Sequence, residues 1–125
     1  MIAVDTSSMV AFLEGDRGSD VERVRAALGA DQLVLPPPVF TELVGDPRIE
    51  SEVVDQLRAI PRRPLGQGYW ERAGRLRAAV LTRKRRARLG DALIAQFCLD
   101  HDLPLITRDS DFRQFAAVSE LKIIP

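Results

Sequence analysis

Two hydrophobic patterns alternate along the chain. Short continuous apolar runs are followed by longer stretches in which apolar residues recur every three or four positions. The first run, Ile2-Ala3-Val4, ends abruptly in Asp5. A continuous run of this kind belongs to a strand buried on both faces, so IAV predicts a strand that begins almost at residue 1. TSSMVAFLEG then reads as a turn into a helix, with Thr6, Ser7 or Ser8 placed to cap its exposed N–H groups. Val21, Val24 and Leu28 repeat at helical spacing across Asp20–Leu28, and Gly29 stops that helix. Leu33–Leu35 predicts a second short strand. The three prolines at 36–38 cannot continue a central ladder and instead lead into a helix containing Val39, Phe40, Leu43 and Val44.

Asp46-Pro47 breaks that segment, and Ile49–Ile60 reads as the next helix, with Val53, Val54 and Leu57 on its apolar side. PRRPLGQG is a linker too brief to divide domains. Tyr69–Val80 is helical again, with Trp70, Ala73, Leu76 and Arg77 at helical spacings. Gly90-Asp91 opens a strongly apolar helix, ALIAQFCL, that ends near His101. LPLI (103–106) and LKII (121–124) predict two further buried strands. Strands and helices in this order favour a mainly parallel α/β sheet over a helical bundle. In such sheets ligands collect beyond the C-terminal ends of the strands, which directs attention to the polar residues found there.

Composition bounds the function. A chain of 125 residues that is 46% hydrophobic is the size of one domain and can bury a real core. The formal charge is 0, so the average composition argues for neither nucleic acid nor membrane. Its distribution is lopsided: Arg58–Arg88 holds eleven Arg or Lys against the single acid Glu71. The lone Cys98, set in AQFCL, excludes an internal disulfide and reads as a core residue. With no basic leader before IAV and no run approaching the roughly 20 apolar residues of a membrane span, a reducing cytoplasm is the expected compartment.

The acids carry the chemistry. Asp5 ends the first strand and Asp109 follows the LPLI strand in the same manner. Asp91 stands at the start of the apolar helix, and Glu42 lies inside VFTELV. Adjacent parallel strands would bring Asp5 and Asp109 to one edge. Carboxylates sharing a crevice resist ionisation unless cations compensate them, and an all-oxygen donor set suits Mg²⁺ or Mn²⁺ rather than a dedicated zinc site. The bland roles are a helix cap for Asp5, helix-start stabilisation for Asp91, a solvated face for Glu42, and an Asx turn for Asp109 and Asp111.

VDTSSMV, the acid in TELV, and the block DALIAQFCLDHDLPLITRDSDF together resemble the PIN domain, specifically the VapC-type toxins of toxin–antitoxin pairs. The likeness spans essentially residues 1–125, read as a single PIN domain. Its most specific part places Asp91 eighteen residues before Asp109, with Phe112 after the aspartates. The resemblance implies a three-layer α/β/α domain with a short, mainly parallel central sheet. It also implies a Mg²⁺- or Mn²⁺-dependent ribonuclease neutralised by a cognate antitoxin, and a homodimer, for which Ile49–Ile60 and Tyr69–Val80 are candidate surfaces. By position, the four acids of the family are Asp5, Glu42, Asp91 and Asp109. Asp111 is a further ligand in the outer shell or through water, and Thr6 and Ser7 are supporting hydroxyls. One ion would sit mainly between Asp5 and Asp109 with Asp91, and a second near Glu42 and Asp91. The segment TRKRRARLG departs from the pattern, placing its glycine immediately before Asp91.

The basic half gains a use from this resemblance. Arg83, Lys84, Arg85 and Arg86 form the best phosphate-attracting patch, with Arg62, Arg63, Arg72 and Arg75 as further members of a rim. His101 has no nucleophile beside it, Tyr69 and Trp70 could stack on bases but are expected from their helical spacing to pack or to form a protein interface, and Phe112 is expected to plug the aspartate turn. A signalling receiver domain would need an acidic pair after its first strand and a phosphorylatable aspartate after a middle strand, and the chain supplies neither. The remaining alternative is a noncatalytic PIN-like RNA- or protein-binding module.

Overall fold

The computed structural model describes residues 1–124. The chain runs β1 (Ile2–Val4), α1 (Thr6–Leu13), α2 (Ser19–Gly29), β2 (Leu33–Val34), α3 (Pro37–Val44), α4 (Ser51–Arg58), α5 (Tyr69–Thr82), α6 (Leu89–Asp100), β3 (Leu105–Ile106), α7 (Phe112–Ala116) and β4 (Ile123–Ile124). The four strands form one parallel sheet in the order β2-β1-β3-β4. Helices cover both faces, giving an α/β/α sandwich of three layers. Ala3 pairs with Leu105 and Val4 with Ile106, so β1 and β3 end side by side.

Strands β1, β2 and β3 are short because each is a buried apolar stretch that must stop where polar residues begin, whereas β4, expected to be buried, is half-buried at the sheet edge. Ala3, Val4, Leu33, Val34, Leu105 and Ile106 are at most 1% exposed. Phe97, Ile94 and Ala95 of α6 pack into the same core, which explains why ALIAQFCL is apolar almost all round. The prolines act as expected: Pro37 opens α3, where its missing N–H costs nothing.

Three readings of the sequence are corrected. The cap of α1 is Asp5 and not Thr6, Ser7 or Ser8, because Asp5 has the extended backbone of an N-cap and its carboxylate accepts the Ser8 N–H. The buried stripe of α5 is Tyr69, Ala73, Leu76 and Val80, so Trp70 faces solvent. Arg77 instead donates from Nε to the carbonyl of Ala87 at 2.8 Å and ties α5 to the following loop. The short α7 had no counterpart among the expected elements; it buries Phe112 and Phe115 between the aspartate turn and β4.

Candidate active site

The chain leaves β1 toward one edge of the sheet and β3 toward the other, so the C-terminal ends of these neighbours form the topological switch point where α/β folds place ligands. Asp5 follows β1 and is 2% exposed. Its Oδ1 accepts the Ser8 N–H at 2.9 Å, and its Oδ2 accepts the hydroxyls of Ser7 at 2.8 Å and Thr107 at 2.6 Å. Burial outweighs these bonds, and the Asp5 pKa is raised above the ordinary carboxylate value.

Thr107 directly follows β3 and joins two acids through one oxygen. While its Oγ1 donates to Asp5, it also accepts the Asp109 N–H at 2.9 Å. Asp109 Oδ1 in turn accepts the Asp111 N–H at 2.9 Å, closing an Asx turn that the buried Phe112 anchors. Asp111, placed by sequence in an outer shell, therefore has its carboxylate in the same group as Asp91 and Asp109. One carboxylate oxygen from each of these three lies within 4.8 Å of the others.

Asp91 stands in the first turn of α6. Its Oδ2 is buried and is the one such side-chain oxygen or nitrogen without a hydrogen-bond partner among the described residues. Burial, then the negative charge of Asp109, pushes its pKa up to about 6; Glu42 and Asp5 add to the rise and the Arg88 cation opposes it. Glu42 approaches from α3, with Oε1 accepting the Thr6 hydroxyl at 2.8 Å. The Glu42 carboxylate lies beside Gly90, at ordinary contact distance from where a Cβ would stand.

An orphaned buried oxygen beside further carboxylates is an arrangement that lacks a positive charge. The donors are hard oxygens with no Cys or His among them, so the residues present fit a divalent cation of the Mg²⁺ or Mn²⁺ type. The family model for the PIN domain matches residues 2–118. The chain belongs to the PIN-domain family.

Two solved structures share this PIN fold. A member of the VapBC family of toxin–antitoxin systems, VapBC-5 from Mycobacterium tuberculosis, is 22% identical with a TM-score of 0.69, covering 98% of this chain and 96% of that one. FitAcB from Neisseria gonorrhoeae is 19% identical with a TM-score of 0.74, covering 100% of this chain and 97% of that one. No curated protein matches the sequence.

Beside the PIN acids lies a second buried carboxylate that the sequence reading passed over. Asp20, 5% exposed, accepts the Ser8 hydroxyl at 2.8 Å and two guanidinium bonds from Arg108 at 2.7 and 3.1 Å. These bonds, led by those from Arg108, hold its pKa down at about 2. Ser8 therefore links the two centres, giving its N–H to Asp5 and its hydroxyl to Asp20. The adjacent pair Thr107-Arg108 divides its work the same way, Thr107 serving the acid centre and Arg108 serving Asp20.

The basic half divides into committed and uncommitted cations. Arg72 pairs with Asp100 and donates to the Gln67 carbonyl, and Arg75 pairs with Glu71 at 3.7 Å. Arg83, Lys84, Arg85 and Arg86 are all exposed on the α5–α6 loop, which leads directly to Asp91. His101 is occupied structurally, its ring against Phe97 and its Nε2 at 3.1 Å from the Pro64 carbonyl. Cys98 is 1% exposed and burial raises its thiol pKa. Among the described residues no helix is long and apolar enough to cross a membrane.

Proposed function

We propose that this PIN domain is a metal-dependent endoribonuclease toxin that hydrolyses RNA phosphodiester bonds and is neutralised by a cognate antitoxin. The observation that carries the reading is Asp91 at the switch point of the sheet: its carboxylate groups with those of Asp109 and Asp111, and its buried Oδ2 has no partner among the described residues. Such a group costs folding free energy unless something charged completes it. Asp91, Asp109 and Asp111 would hold Mg²⁺ or Mn²⁺ with Asp5 and Glu42 alongside, and when bound the ion supplies Lewis-acid charge at the phosphoryl oxygens and a water of lowered pKa.

The protein's own residues orient the reaction. Thr107 and Ser7 fix the Asp5 carboxylate, and Thr107 sets the Asp109 backbone at the same time. Thr6 engages Oε1 of Glu42, leaving Oε2 to position the attacking water. Exposed Arg83, Lys84, Arg85 and Arg86 bring the polyanion to a centre that would otherwise repel it.

The antitoxin reading has its own support. A cleft of about 430 Å³ between α1, α3 and α4 has Leu13, Leu43 and Val53 on its floor and Glu14, Glu42, Asp46 and Glu50 at its rim. Its single cation, Arg48, is already paired with Asp46. An amphipathic partner helix with cationic flanks suits that surface, and VapBC-5 comes from a toxin–antitoxin family. Homodimerisation through α4 or α5 belongs to the same reading, and sedimentation as a monomer at micromolar concentration would remove it.

The test is incubation of purified protein with total RNA in Mg²⁺ or EDTA, followed by sequencing of the new ends. Wild-type protein should cut at defined positions in Mg²⁺ only, and Asp5→Ala and Asp91→Asn should not. RNA binding without metal-dependent cleavage would establish the noncatalytic binding module instead.

A further inference from the structure

Trp70 is the chain's single tryptophan and is 67% exposed, although its neighbour Tyr69 is almost completely buried. One exposed apolar side chain needs no explanation by itself. This one lines a groove of about 270 Å³ between α3, α5 and α6, together with Pro38, Leu65, Leu93, Glu42 and Gly90. The groove therefore opens onto the acid centre. The indole is held in place: it meets the Tyr69 ring edge-on at 5.1 Å and 76°, and the Tyr69 hydroxyl donates to the Leu93 carbonyl at 2.6 Å. A flat aromatic surface is thus positioned over an apolar slot.

Charge selects the occupant. Arg83, Lys84, Arg85, Arg86 and Arg88 are exposed on the segment that runs into Gly90, which lines the groove. On α3, which supplies Pro38 and Thr41 to the groove, the Phe40 ring carries the Arg62 guanidinium 4.1 Å from its centre. Cations on the segments that lead into an aromatic slot suit a single-stranded polyanion with flat bases and disfavour a cationic partner. The α1–α3–α4 cleft, with its acidic rim, has the opposite preference.

We infer that the Trp70 groove is a nucleobase subsite, stacking one unpaired base of the RNA strand whose phosphate lies at the acid centre. The inference rests on the ribonuclease reading for its choice of ligand. It makes Trp70 a positioning residue, since the base held there sets which phosphate reaches Glu42 and Asp91.

As the only indole, Trp70 reports occupancy through its own emission. A short single-stranded RNA titrated into the full chain in EDTA should quench that emission, whereas the same strand built with abasic riboses should not. Trp70→Ala should weaken RNA binding about 5- to 100-fold, and Trp70→Phe should regain most of it. Equal quenching by the abasic strand, or undiminished RNA affinity in Trp70→Ala, overturns the subsite. So does a Trp70→Ala protein that sediments as a monomer where wild type is a dimer while binding RNA equally well, which assigns the groove to a second copy. The two readings fail separately. Base-dependent quenching without Mg²⁺-dependent cleavage removes the nuclease and keeps the groove; cleavage with unaltered Trp70→Ala binding does the reverse.

Discussion

Asp20 and Asp91 each stand in the first turn of a helix, and each places carboxylate oxygen out of water, yet their surroundings drive them in opposite directions. Asp20 is saturated by one hydroxyl and the Arg108 guanidinium, and its pKa is held at about 2. Asp91 keeps a buried oxygen with no partner among the described residues, faces other carboxylates, and is pushed up to about 6. The helix N-terminus favours negative charge equally in both places, so it does not decide the difference. What decides it is whether the protein supplies the counter-charge. At Asp20 it does, and the group stabilises the fold; at Asp91 only the field of Arg88 opposes the charge, and no side chain among the described residues bonds the buried oxygen.

Removing each acid should therefore have opposite consequences. Asp91→Asn deletes a charge that the metal-free fold tolerates poorly, so cleavage should fall by more than the roughly 10- to 100-fold typical of outer-shell partners, while the melting temperature in EDTA rises. Mg²⁺ should raise the melting temperature of wild type and leave Asp91→Asn unmoved. A fall in the metal-free stability of Asp91→Asn would break the contrast. At the other centre, Arg108→Met strands the buried Asp20 carboxylate. The expected loss is about 2–4 kcal/mol by chemical denaturation, at the lower end of values for a broken buried pair because Arg108 is partly exposed. An unchanged stability there would mean that the ion pair is not holding α2 to the end of β3.

The legible half of this comparison is the acid centre. A strand buried on both faces must read as an unbroken apolar run, so IAVD and LPLITRD announced both the parallel sheet and the acids at its ends. The supporting half was not legible, because Arg108 and Asp20 are 88 positions apart and each alone looks like a solvated charge. Thr107 was visible only as the end of a strand, since nothing local shows that one hydroxyl serves both Asp5 and Asp109. On α5, a stripe through Trp70 or one through Tyr69 satisfies helical spacing, and the choice is made by the Tyr69 hydroxyl reaching Leu93 across the helix pair. The five residues of α7 are too few to show a period, although the buried pair Phe112 and Phe115 was its one signal.

Thr107 sharpens the comparison at intermediate cost. Thr107→Val keeps the shape but removes a donor to buried Asp5 and an acceptor for the Asp109 N–H. Stability should fall by about 1–3 kcal/mol and cleavage by about 10- to 100-fold. Thr107→Ser, which retains the oxygen, should recover most of the cleavage. Equal cleavage by Val and Ser variants would show that the hydroxyl positions neither acid.

The smallest effect is the pH dependence of the metal-free protein, and here the two acids act in separate windows. Asp20 has a folded pKa of about 2 against an ordinary 3.8, so its stabilisation is complete above about pH 4 and is lost as pH falls toward 2. That loss should amount to about 1–2 kcal/mol once the exposure of Arg108 is allowed for. Asp91 has the reverse sign: with a folded pKa of about 6, the folded state binds the extra proton between about pH 4 and 6, so stability declines as pH rises through that range. Asp5, also raised, acts in the same direction. Denaturation in EDTA from pH 2 to 7 should give two flanks, the alkaline one flattened by Asp91→Asn and the acid one by Asp20→Asn. An alkaline flank that survives in Asp91→Asn at full size would place the uncompensated charge on Asp5 rather than Asp91, and would move the unmet demand for a cation to the β1 side of the site.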